Sequence, residues 1–398
     1  MWSGRHVVVG VSGGIASYKS CILVRRLAEA GVRVDVILTE GAAEFVRPLT
    51  FEALSGRPVL TSLWARDGAL QHVRLAQTAD LIIVAPATAH LLARVAQGLG
   101  DDLLTTLLLA RTSPVLFAPA MNDAMYANAA TQANLALLRE RGAAFVGPEV
   151  GALAEGSSDR PGRMSEPETI LAHAARMLAS RGLLKGKRVL VTAGPTREPI
   201  DPVRVVTNRS SGRMGYRLAE AAWERGAAVT LISGPVDLAP PVGVDVARVE
   251  STAQLEAAVR AALPSADVLI MAAAPADYRP ADPGSTKRPR QDGAATIAME
   301  PTADILAGTV GLRKPGSVIV GFALETGDAV TKGRAKLARK QLDLIVVNDA
   351  LEPGAGFEVE TNRVVLLDRE GGSREVPLAS KRVVADAILD AIEARLAP

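Results

Sequence analysis

Residues 7–16 read Val-Val-Val-Gly-Val-Ser-Gly-Gly-Ile-Ala, an apolar run that passes directly into small residues. Residues 189–196 repeat this pattern as Val-Leu-Val-Thr-Ala-Gly-Pro-Thr. Open α/β sheets build phosphate sites from a short strand, small residues and a helix. Glycine lets the backbone approach an anion, and the helix presents unpaired N–H groups. Two such starts predict two domains of one type, each with its own ligand site.

The composition favours globular domains that bind small molecules. The 398 residues suffice for two domains of ordinary size. Hydrophobic residues make up 48% and charged residues 22%, which suits domains with full cores. Aromatic residues make up only 3%, which disfavours the stacking platforms that bind single-stranded nucleic acid. The net charge of +2, from 45 basic and 43 acidic residues, argues against a polyanion-binding surface.

Cysteine usage and hydropathy predict a cytosolic protein with no membrane partner. Cys21 is the single cysteine, which excludes a disulfide within the chain and disfavours a cysteine-based zinc site. Residues 1–20 lack the apolar core of a signal peptide, because Ser-Gly-Gly at 12–14 interrupts the only apolar run. No apolar stretch reaches the roughly 20 residues of a membrane span.

Residues 1–180 predict a doubly wound, mostly parallel α/β domain, because near-continuous Val/Ile/Leu runs alternate with Ala/Leu/Arg-rich helical patterns. The predicted strands are 6–11, 33–38, 80–85 and 114–118, and the predicted helices are 15–30, 88–97, 101–111, 131–141 and 166–180. Residues 151–165 have no regular pattern, which predicts a mobile loop long enough to be a lid. Residues 181–187 are predicted to be a linker.

Residues 188–398 repeat the alternation and predict a second doubly wound domain of Rossmann-like type. The predicted strands are 188–192, 228–232, 267–272, 317–321 and 343–347, with 357–367 and 374–378 antiparallel. Residues 279–295 are rich in proline, glycine and basic residues, which predicts a second mobile loop.

Two polar residues of the first half are candidates for a catalytic or binding role. His72 lies just before a predicted strand and is either a surface histidine or the proton carrier of a site, since histidine titrates near neutral pH. Asn122 follows a strand end, where open α/β sheets bind ligands. It is either a helix N-cap or an amide that holds a carboxylate or a flavin edge. The Ser-Gly-Gly turn at 12–14 is either a tight turn or a phosphate cradle.

Four motifs of the first half resemble the flavin-dependent cysteine decarboxylases, above all the phosphopantothenoylcysteine decarboxylases of coenzyme A synthesis. The motifs are Ser-Gly-Gly-Ile-Ala (12–16), Gln-His-Val (71–73), Ala-Pro-Ala-Thr-Ala (85–89) and Pro-Ala-Met-Asn-Asp-Ala-Met-Tyr (119–126). The resemblance implies a flavodoxin-like fold and an FMN that oxidises the cysteinyl side chain of the substrate. Carbon dioxide is then lost, and the flavin reduces the resulting enethiol. The implied flavin neighbours are Ser12, Gly13, Gly14, Ile15, Thr39, Thr88, Ala89 and Ala120.

The resemblance also implies that His72 is the catalytic histidine and that Asn122 orients the substrate carboxylate. Many relatives carry a cysteine in the lid that acts as the acid when the enethiol is reduced, whereas this chain has Ala-Glu-Gly at 154–156. One hypothesis is that Glu155, under a closed lid, supplies that proton. The alternatives are a water molecule as the acid, a reaction that stops at the enethiol, or a Glu155 that is merely a solvated loop residue.

The second half holds the densest motif of the chain. Residues 193–204 (Ala-Gly-Pro-Thr-Arg-Glu-Pro-Ile-Asp-Pro-Val-Arg) are followed by 207–215 (Thr-Asn-Arg-Ser-Ser-Gly-Arg-Met-Gly) and by a predicted helix over 216–225. This arrangement presents backbone amides to an anion at a helix N-terminus, or else it is a capping loop with Ser211 as N-cap. Lys336 and Lys340 share a helix face, which can neutralise a triphosphate or simply face solvent.

This order of motifs resembles the phosphopantothenate–cysteine ligases. The family activates phosphopantothenate with CTP to an acyl-cytidylate and pyrophosphate, and the cysteine amine then displaces CMP. The resemblance implies that Asn208 stabilises the acyl-cytidylate and that Lys287 carries the transfer. The implied CTP-binding residues are Met271, Ala272, Ala273, Asp277, Lys287, Ala303, Asp304, Ile305, Leu306, Phe322, Lys336 and Lys340.

Magnesium would bridge the phosphates, with Asp277 as its protein ligand. The family's lysine cluster reads Lys-Arg-Pro-Arg at 287–290 here, so any chemistry that needs a lysine falls on Lys287.

Together the two resemblances span about residues 5–390 and imply a bifunctional enzyme of coenzyme A synthesis. They also imply a homo-oligomer: flavoprotein trimers with FMN between subunits, joined to ligase dimers, close into a dodecamer. Two other readings stay open here. One is a flavin- or nucleotide-sensing module without turnover, and the other is a flavin prenyltransferase or peptidyl-cysteine decarboxylase in the first half.

Overall fold

The computed structural model describes residues 2, 4–64, 70–179, 182–287, 296–325, 327–349 and 359–397. The chain divides into two compact units, 1–179 and 180–398. Among the described residues, no helix is long and apolar enough to cross a membrane.

The first unit is built on a parallel sheet with strand order β2-β1-β3-β4-β5 across its described residues. This is the flavodoxin-like order, and it confirms the predicted fold class. The strands are β1 (His6–Val11), β2 (Arg33–Leu38), β3 (Leu81–Ala87), β4 (Val115–Pro119) and β5 (Ala144–Phe145).

Helices cover both faces of this sheet. Successive residues of β1 show why its sequence is apolar throughout: Val7 and Val9 belong to one buried cluster, whereas Val8 belongs to the cluster on the other face. The helices are α1 (Ser17–Glu29), α2 (Glu40–Phe45), α3 (Pro48–Ser55), α4 (Gln71–Thr78), α5 (Ala89–Ala96), α6 (Leu103–Ala110), α7 (Asp123–Ala127), α8 (Ala129–Glu140) and α9 (Pro167–Leu178).

The prediction of a structureless lid over 151–165 is wrong. These residues lie largely in an antiparallel hairpin of β6 (Glu149–Leu153) and β7 (Gly156–Arg163). Leu153 pairs with Gly156, so Ala154 and Glu155 alone form the turn. Glycine, serine and proline weaken a strand, but here contacts with the loop after β4 compensate.

The second unit has the Rossmann strand order. Its described sheet runs β12-β11-β8-β13-β16-β17-β18-β19, parallel up to β17 and antiparallel beyond it, as predicted. The strands of this sheet are β8 (Arg188–Ala193), β11 (Ala228–Ser233), β12 (Asp245–Arg248), β13 (Val268–Met271), β16 (Val318–Glu325), β17 (Leu344–Asp349), β18 (Thr361–Asp368) and β19 (Ser373–Ser380).

Two small antiparallel ribbons stand beside this sheet. They are β9 (Arg197–Pro199) with β10 (Val205–Thr207), and β14 (Tyr278–Pro280) with β15 (Met299–Pro301). The first residues of the predicted loop 279–295 therefore belong to a strand, and 288–295 lie outside the described residues.

The helices of the second unit follow the predicted alternation. They are α10 (Arg213–Glu224), α11 (Thr252–Ala262), α12 (Ile305–Gly308), α13 (Ala329–Arg339) and α14 (Lys381–Leu396). In the segment predicted as a linker, Leu184 is buried and its N–H donates to Glu393 at 3.3 Å.

Candidate functional site

A cavity of about 1030 Å³ lies at the carboxyl ends of β1, β3 and β4 in the first unit. This is the edge where ligands bind in open α/β sheets. Every residue predicted to neighbour a flavin lines it: Ser12, Gly13, Gly14, Ile15, Thr39, Thr88, Ala89 and Ala120. Asn122 and Glu155 line the same cavity.

The turn after β1 is held against the loop after β3. Ser12 Oγ donates to the carbonyl of Pro86 at 2.8 Å and accepts from the Thr88 N–H at 3.0 Å. A Cβ at Gly13 would lie 2.7 Å from the carbonyl carbon of Gly41, so only glycine fits this close approach. The glycine at 13 is therefore required by packing, and the same packing shapes the cavity wall.

Thr39 and Thr88 also cap the helices that follow them. The Thr39 hydroxyl accepts from the Ala42 N–H at 3.3 Å, and the Thr88 hydroxyl accepts from the Leu91 N–H at 3.4 Å. They are the N-caps of α2 and α5. Both helices thus begin at the cavity wall.

Asn122 combines the two roles that its sequence position left open. Its Oδ1 accepts from the Ala124 N–H at 2.9 Å and caps α7. Its Nδ2 donates to Glu155 Oε2 at 2.7 Å. The amide therefore already holds a carboxylate at the cavity, which is the interaction expected of it toward a substrate carboxylate.

Backbone contacts fix the hairpin that carries Glu155. The Met121 N–H donates to the Gly162 carbonyl at 3.0 Å, and Ser158 Oγ donates to Asp123 Oδ2 at 2.6 Å. That hydrogen bond holds the pKa of Asp123 below its usual value. A Cβ at Gly162 would lie 2.6 Å from the Met121 carbonyl oxygen, so the strand and the loop touch through backbone.

His72 is not among the residues that line the cavity. It lies in the first turn of α4, and its Nδ1 is buried without a hydrogen-bond partner among the described residues. The catalytic role of His72 remains a proposal.

Sequence reasoning missed Lys19, which also lines the cavity. This buried lysine donates from Nζ to the Met164 carbonyl at 2.8 Å and to Glu166 Oε1 at 3.0 Å. It ties α1 to the end of the hairpin. Its partners lie 145 and 147 residues away in sequence, so no local signal could reveal the contact.

In the second unit, the candidate site lies at the carboxyl ends of β8, β13 and β16. Gly194 and Gly212 have φ values of +78° and +73°, a region that favours glycine. A Cβ at Gly215 would lie 2.5 Å from the Cβ of Ala193, so α10 begins directly against β8. Gly212 is the N-cap of α10, so the alternative interpretation with Ser211 as N-cap is wrong.

Asn208 reaches the segment that follows β13. Its Nδ2 donates to the carbonyls of Ala274 at 3.2 Å and Pro275 at 2.9 Å. The side chain is exposed, so a substrate has access to it. Asn208 therefore contacts the segment after β13. This segment follows the predicted CTP-binding residue Met271 and includes Ala272, Ala273 and Asp277.

The two predicted lysines are each paired with a carboxylate. Lys336 Nζ lies 2.5 Å from Glu325 Oε1, and Lys340 Nζ lies 3.0 Å from Asp304 Oδ1. Burial alone would raise the pKa of Asp304, but the hydrogen bonds from Lys340 and the Ala307 N–H, together with the nearby positive charges, lower it. Neither lysine merely faces solvent.

The remaining predicted residues differ in how a ligand can reach them. Ile305 and Leu306 are buried in the core, so only their backbone can meet a nucleotide, whereas Ala303 is exposed. Phe322 follows Gly321, which pairs with Met271 in the sheet.

Asp277 and Lys287 are both exposed. Among the described residues, no group of three or more His, Cys, Asp or Glu side chains could hold a metal ion. In that part of the chain, Asp277 therefore belongs to no such group. Lys287 pairs with no other residue in the described part of the chain, and Arg288 to Arg290 lie outside that part.

Family comparisons match each unit. Residues 1–179 match the Flavoprotein family. Residues 184–396 match the DFP family, described as the DNA/pantothenate metabolism flavoprotein C-terminal domain.

Relatives match the whole chain. The coenzyme A biosynthesis bifunctional protein CoaBC of Vibrio cholerae serotype O1 (strain ATCC 39315 / El Tor Inaba N16961) is 47% identical, over 99% of each chain. The protein of that name from Mycobacterium tuberculosis (strain ATCC 25618 / H37Rv) is 49% identical, over 99% of this chain and 97% of the relative. A crystal structure of the C-terminal domain of a CoaBC protein is 40% identical, with TM-score 0.46, over 54% of this chain and 98% of that one.

Full-length identity of this size, together with a family match in each unit, shows a common family. The chain belongs to the family of coenzyme A biosynthesis bifunctional proteins, CoaBC.

Proposed function

We propose that the chain is a bifunctional enzyme of coenzyme A synthesis. The second unit joins phosphopantothenate to cysteine with CTP, and the first unit decarboxylates the phosphopantothenoylcysteine so formed to phosphopantetheine. The observation that carries the proposal is the coincidence of the full-length family match with two sites at the ligand-binding edges of two α/β sheets.

The residues of the first cavity fit FMN. A volume of about 1030 Å³ accommodates a ligand of that size, and two helices begin at its wall. The close packing of Gly13 against Gly41 fixes the turn at the cavity wall. Bound FMN supplies the two-electron acceptor that an oxidative decarboxylation needs and returns the electrons afterwards.

Within this site, Asn122 Nδ2 holds the substrate carboxylate by the bond that it now makes to Glu155. Glu155 stands beside that carboxylate and donates the proton that the reduction of the enethiol requires. His72 is the proton carrier for the oxidative half. Because it does not line the cavity of its own chain, a neighbouring copy would bring it to the reacting atoms.

In the ligase unit, CTP lies along the segment after β13, between Asn208 and the two lysines at the end of α13, Lys336 and Lys340. Lys336 and Lys340 exchange their carboxylate partners for phosphate oxygens. Asp277 would be the protein ligand of a magnesium ion, which would neutralise phosphate charge. The carboxylate of phosphopantothenate attacks the α-phosphorus and releases pyrophosphate. The cysteine amine then forms the amide and releases CMP, with Asn208 and Lys287 stabilising the charge that develops.

We also propose a cytoplasmic homo-oligomer with trimeric contacts between first units and dimeric contacts between second units. Exposed apolar side chains at the first cavity support this proposal: Trp64 is 91% exposed, Ile15 61% and Met125 50%. The dodecamer that these contacts would close is checked by light scattering of the purified protein.

Each half is tested with its own substrate. Phosphopantothenoylcysteine given to the purified protein should yield carbon dioxide, and His72→Asn should abolish that release while the bound flavin is retained. Phosphopantothenate, cysteine and CTP should yield pyrophosphate, and chelation of magnesium should stop it. A binding module without turnover would hold flavin or nucleotide and release neither product.

A further inference from the structure

A buried chain of hydrogen bonds runs from a carboxylate to the segment that precedes Asp277. Glu198 is 3% exposed, Thr252 2% and Thr196 1%. Thr252 Oγ1 lies 2.8 Å from Glu198 Oε1 and 2.9 Å from Thr196 Oγ1, and the Ala276 N–H donates to Thr196 Oγ1 at 2.9 Å. None of these three side chains belongs to the residues assigned above to substrate or nucleotide.

A carboxylate oxygen only accepts hydrogen bonds, and this determines which atom is the donor in each bond of the chain. Glu198 Oε1 accepts from the Thr252 N–H at 2.8 Å and from the Thr252 hydroxyl. The single hydroxyl proton of Thr252 is therefore used, so the hydroxyl of Thr196 must donate to Thr252. Thr196 Oγ1 is then left to accept from Ala276, and all three protons point toward Glu198.

The carboxylate is well placed to order this chain. Glu198 faces the first turn of α11, where unpaired N–H groups and the helix dipole favour a negative charge. Bonds to an ionised acceptor are stronger than neutral ones, and hydrogen bonds in series polarise one another. A buried donor that loses its acceptor is destabilising, so these hydrogen bonds cannot easily be exchanged for others.

Thr196 also forms a hydrogen bond on the other side of the ligase site, through its backbone carbonyl. The Thr207 hydroxyl donates to the Thr196 carbonyl at 2.7 Å, and Thr207 precedes Asn208. The Ala274 N–H donates to the Gly194 carbonyl at 2.9 Å. Thr196 thus lies between β10, which ends just before Asn208, and the segment that leads to Asp277.

We infer that Glu198, Thr252 and Thr196 form a positioning relay that sets where Asp277 and Asn208 stand for the nucleotide. This inference rests on the proposed ligase function of the second unit. The relay touches no substrate, and it acts through the backbone at Ala276. Without the relay, the segment after β13 is held less firmly at Ala276. Asp277 and Asn208 are then displaced from the positions that bind the nucleotide.

The decisive variant is Thr252→Val, which keeps the shape of the side chain and removes the hydroxyl. The KM for CTP should rise about tenfold, because loosened positioning weakens an oriented site. Thr252→Ser restores the hydroxyl and should restore the wild-type KM. The control is Ser251→Ala, which removes the N-cap of the same helix without touching the relay.

Hydrogen exchange supplies a readout that does not depend on ligase activity. Peptides that include Ala276 should exchange faster in Thr252→Val than in wild type or Ser251→Ala. If wild type fails to ligate but this pattern appears, the proposed function fails while the anchoring step stands. Equal KM and exchange in Thr252→Val and Ser251→Ala, or a Thr252→Ser variant that behaves as valine does, would overturn the relay.

A second variant covers the case in which Thr252→Val does not fold. Glu198→Gln keeps an acceptor oxygen of the same shape but removes the charge that orders the relay. It should raise the KM for CTP several-fold and leave the carbon dioxide release of the first unit unchanged. An unaltered KM in a folded Glu198→Gln chain would contradict the inference.

Discussion

At the scale of single residues, each unit places an asparagine amide at its site, already engaged with an acceptor. Asn122 donates to the carboxylate of Glu155, and Asn208 donates to two backbone carbonyls. An amide can orient an acceptor without adding charge, so a substrate can exchange places with the resident partner. The two sites differ in the acceptor. Asn122 donates to the side chain of an acid, Glu155, whereas Asn208 donates to backbone carbonyls.

Glu155→Gln separates the two duties of that side chain. The glutamine oxygen can still accept from Asn122 Nδ2, but the side chain has no proton to give. We expect the first turnover to release carbon dioxide at near the wild-type rate and to leave the bound flavin reduced. Formation of the saturated thiol, which returns the electrons and permits the next turnover, should fall about 10²-fold or more, as for a lost general acid. Product masses distinguish the enethiol from phosphopantetheine.

The matched control for this experiment is Asp159→Asn, which changes an exposed carboxylate on the same hairpin. It should leave both steps unchanged. Wild-type yields of saturated product in Glu155→Gln would assign the proton to water and reduce Glu155 to a partner of Asn122.

Much of the site could be predicted at this scale, but not how its residues are held. The glycine-rich turn at 12–14 and Asn122 follow strand ends, so their place at the ligand edge follows from the α/β pattern. Lys19 could not be found in this way, because its partners are far away in sequence. The carboxylates facing Lys336 and Lys340 are hidden for the same reason.

At the scale of elements, the runs of Val, Ile and Leu predict the parallel strands well because both faces of each strand are buried. The β6–β7 hairpin shows the opposite case. Its glycine, serine and proline residues carry no strand signal, and contacts with the loop after β4 provide its order. Local propensity predicts a loop there, and a tertiary contact overrides it.

Gly162→Ala tests that contact. The new Cβ would lie 2.6 Å from the Met121 carbonyl oxygen, and backbone on both sides leaves little room to yield. We expect the hairpin to move away, with Glu155, and turnover of phosphopantothenoylcysteine to fall about tenfold or more. Bound flavin and ligase activity of the same chain serve as controls for folding, and an unchanged turnover would show that the hairpin position is not needed.

The stability of the first unit should depend on pH through Asp35, which lies in β2. Burial alone would raise the pKa of Asp35, but hydrogen bonds from His6 at 2.7 Å and Arg57 at 2.8 Å outweigh it, so the pKa is lowered. The unfolded chain therefore binds this proton more readily than the folded one. The stability that Asp35 contributes is present above a pH of about 4 and is lost as the pH falls below it.

Asp35→Asn should flatten this dependence. The variant will be less stable at neutral pH, and its difference from wild type should shrink as the pH falls toward 3 or below. Thermal unfolding is monitored through the release of bound flavin, which reports on the first unit. A difference that is constant over this range would contradict the assignment to Asp35.

At the scale of the whole molecule, two α/β units with different strand orders lie in one chain, and each has a candidate site at its carboxyl edge. The sequence predicts both units from two similar strand-to-glycine starts. It does not predict which pairs of residues close each site, because those contacts join segments distant in sequence. The proposed activities suit such a fusion, since the product of the ligase is the substrate of the decarboxylase.

One measurement tests the central claim most directly. The purified chain is incubated with phosphopantothenate, cysteine, CTP and magnesium, and all products are identified by mass spectrometry. We predict phosphopantetheine, with CMP, pyrophosphate and carbon dioxide in equal amounts. Phosphopantothenoylcysteine or the enethiol as the end product would contradict the claim that the chain, with Glu155 in place of a lid cysteine, completes both reactions.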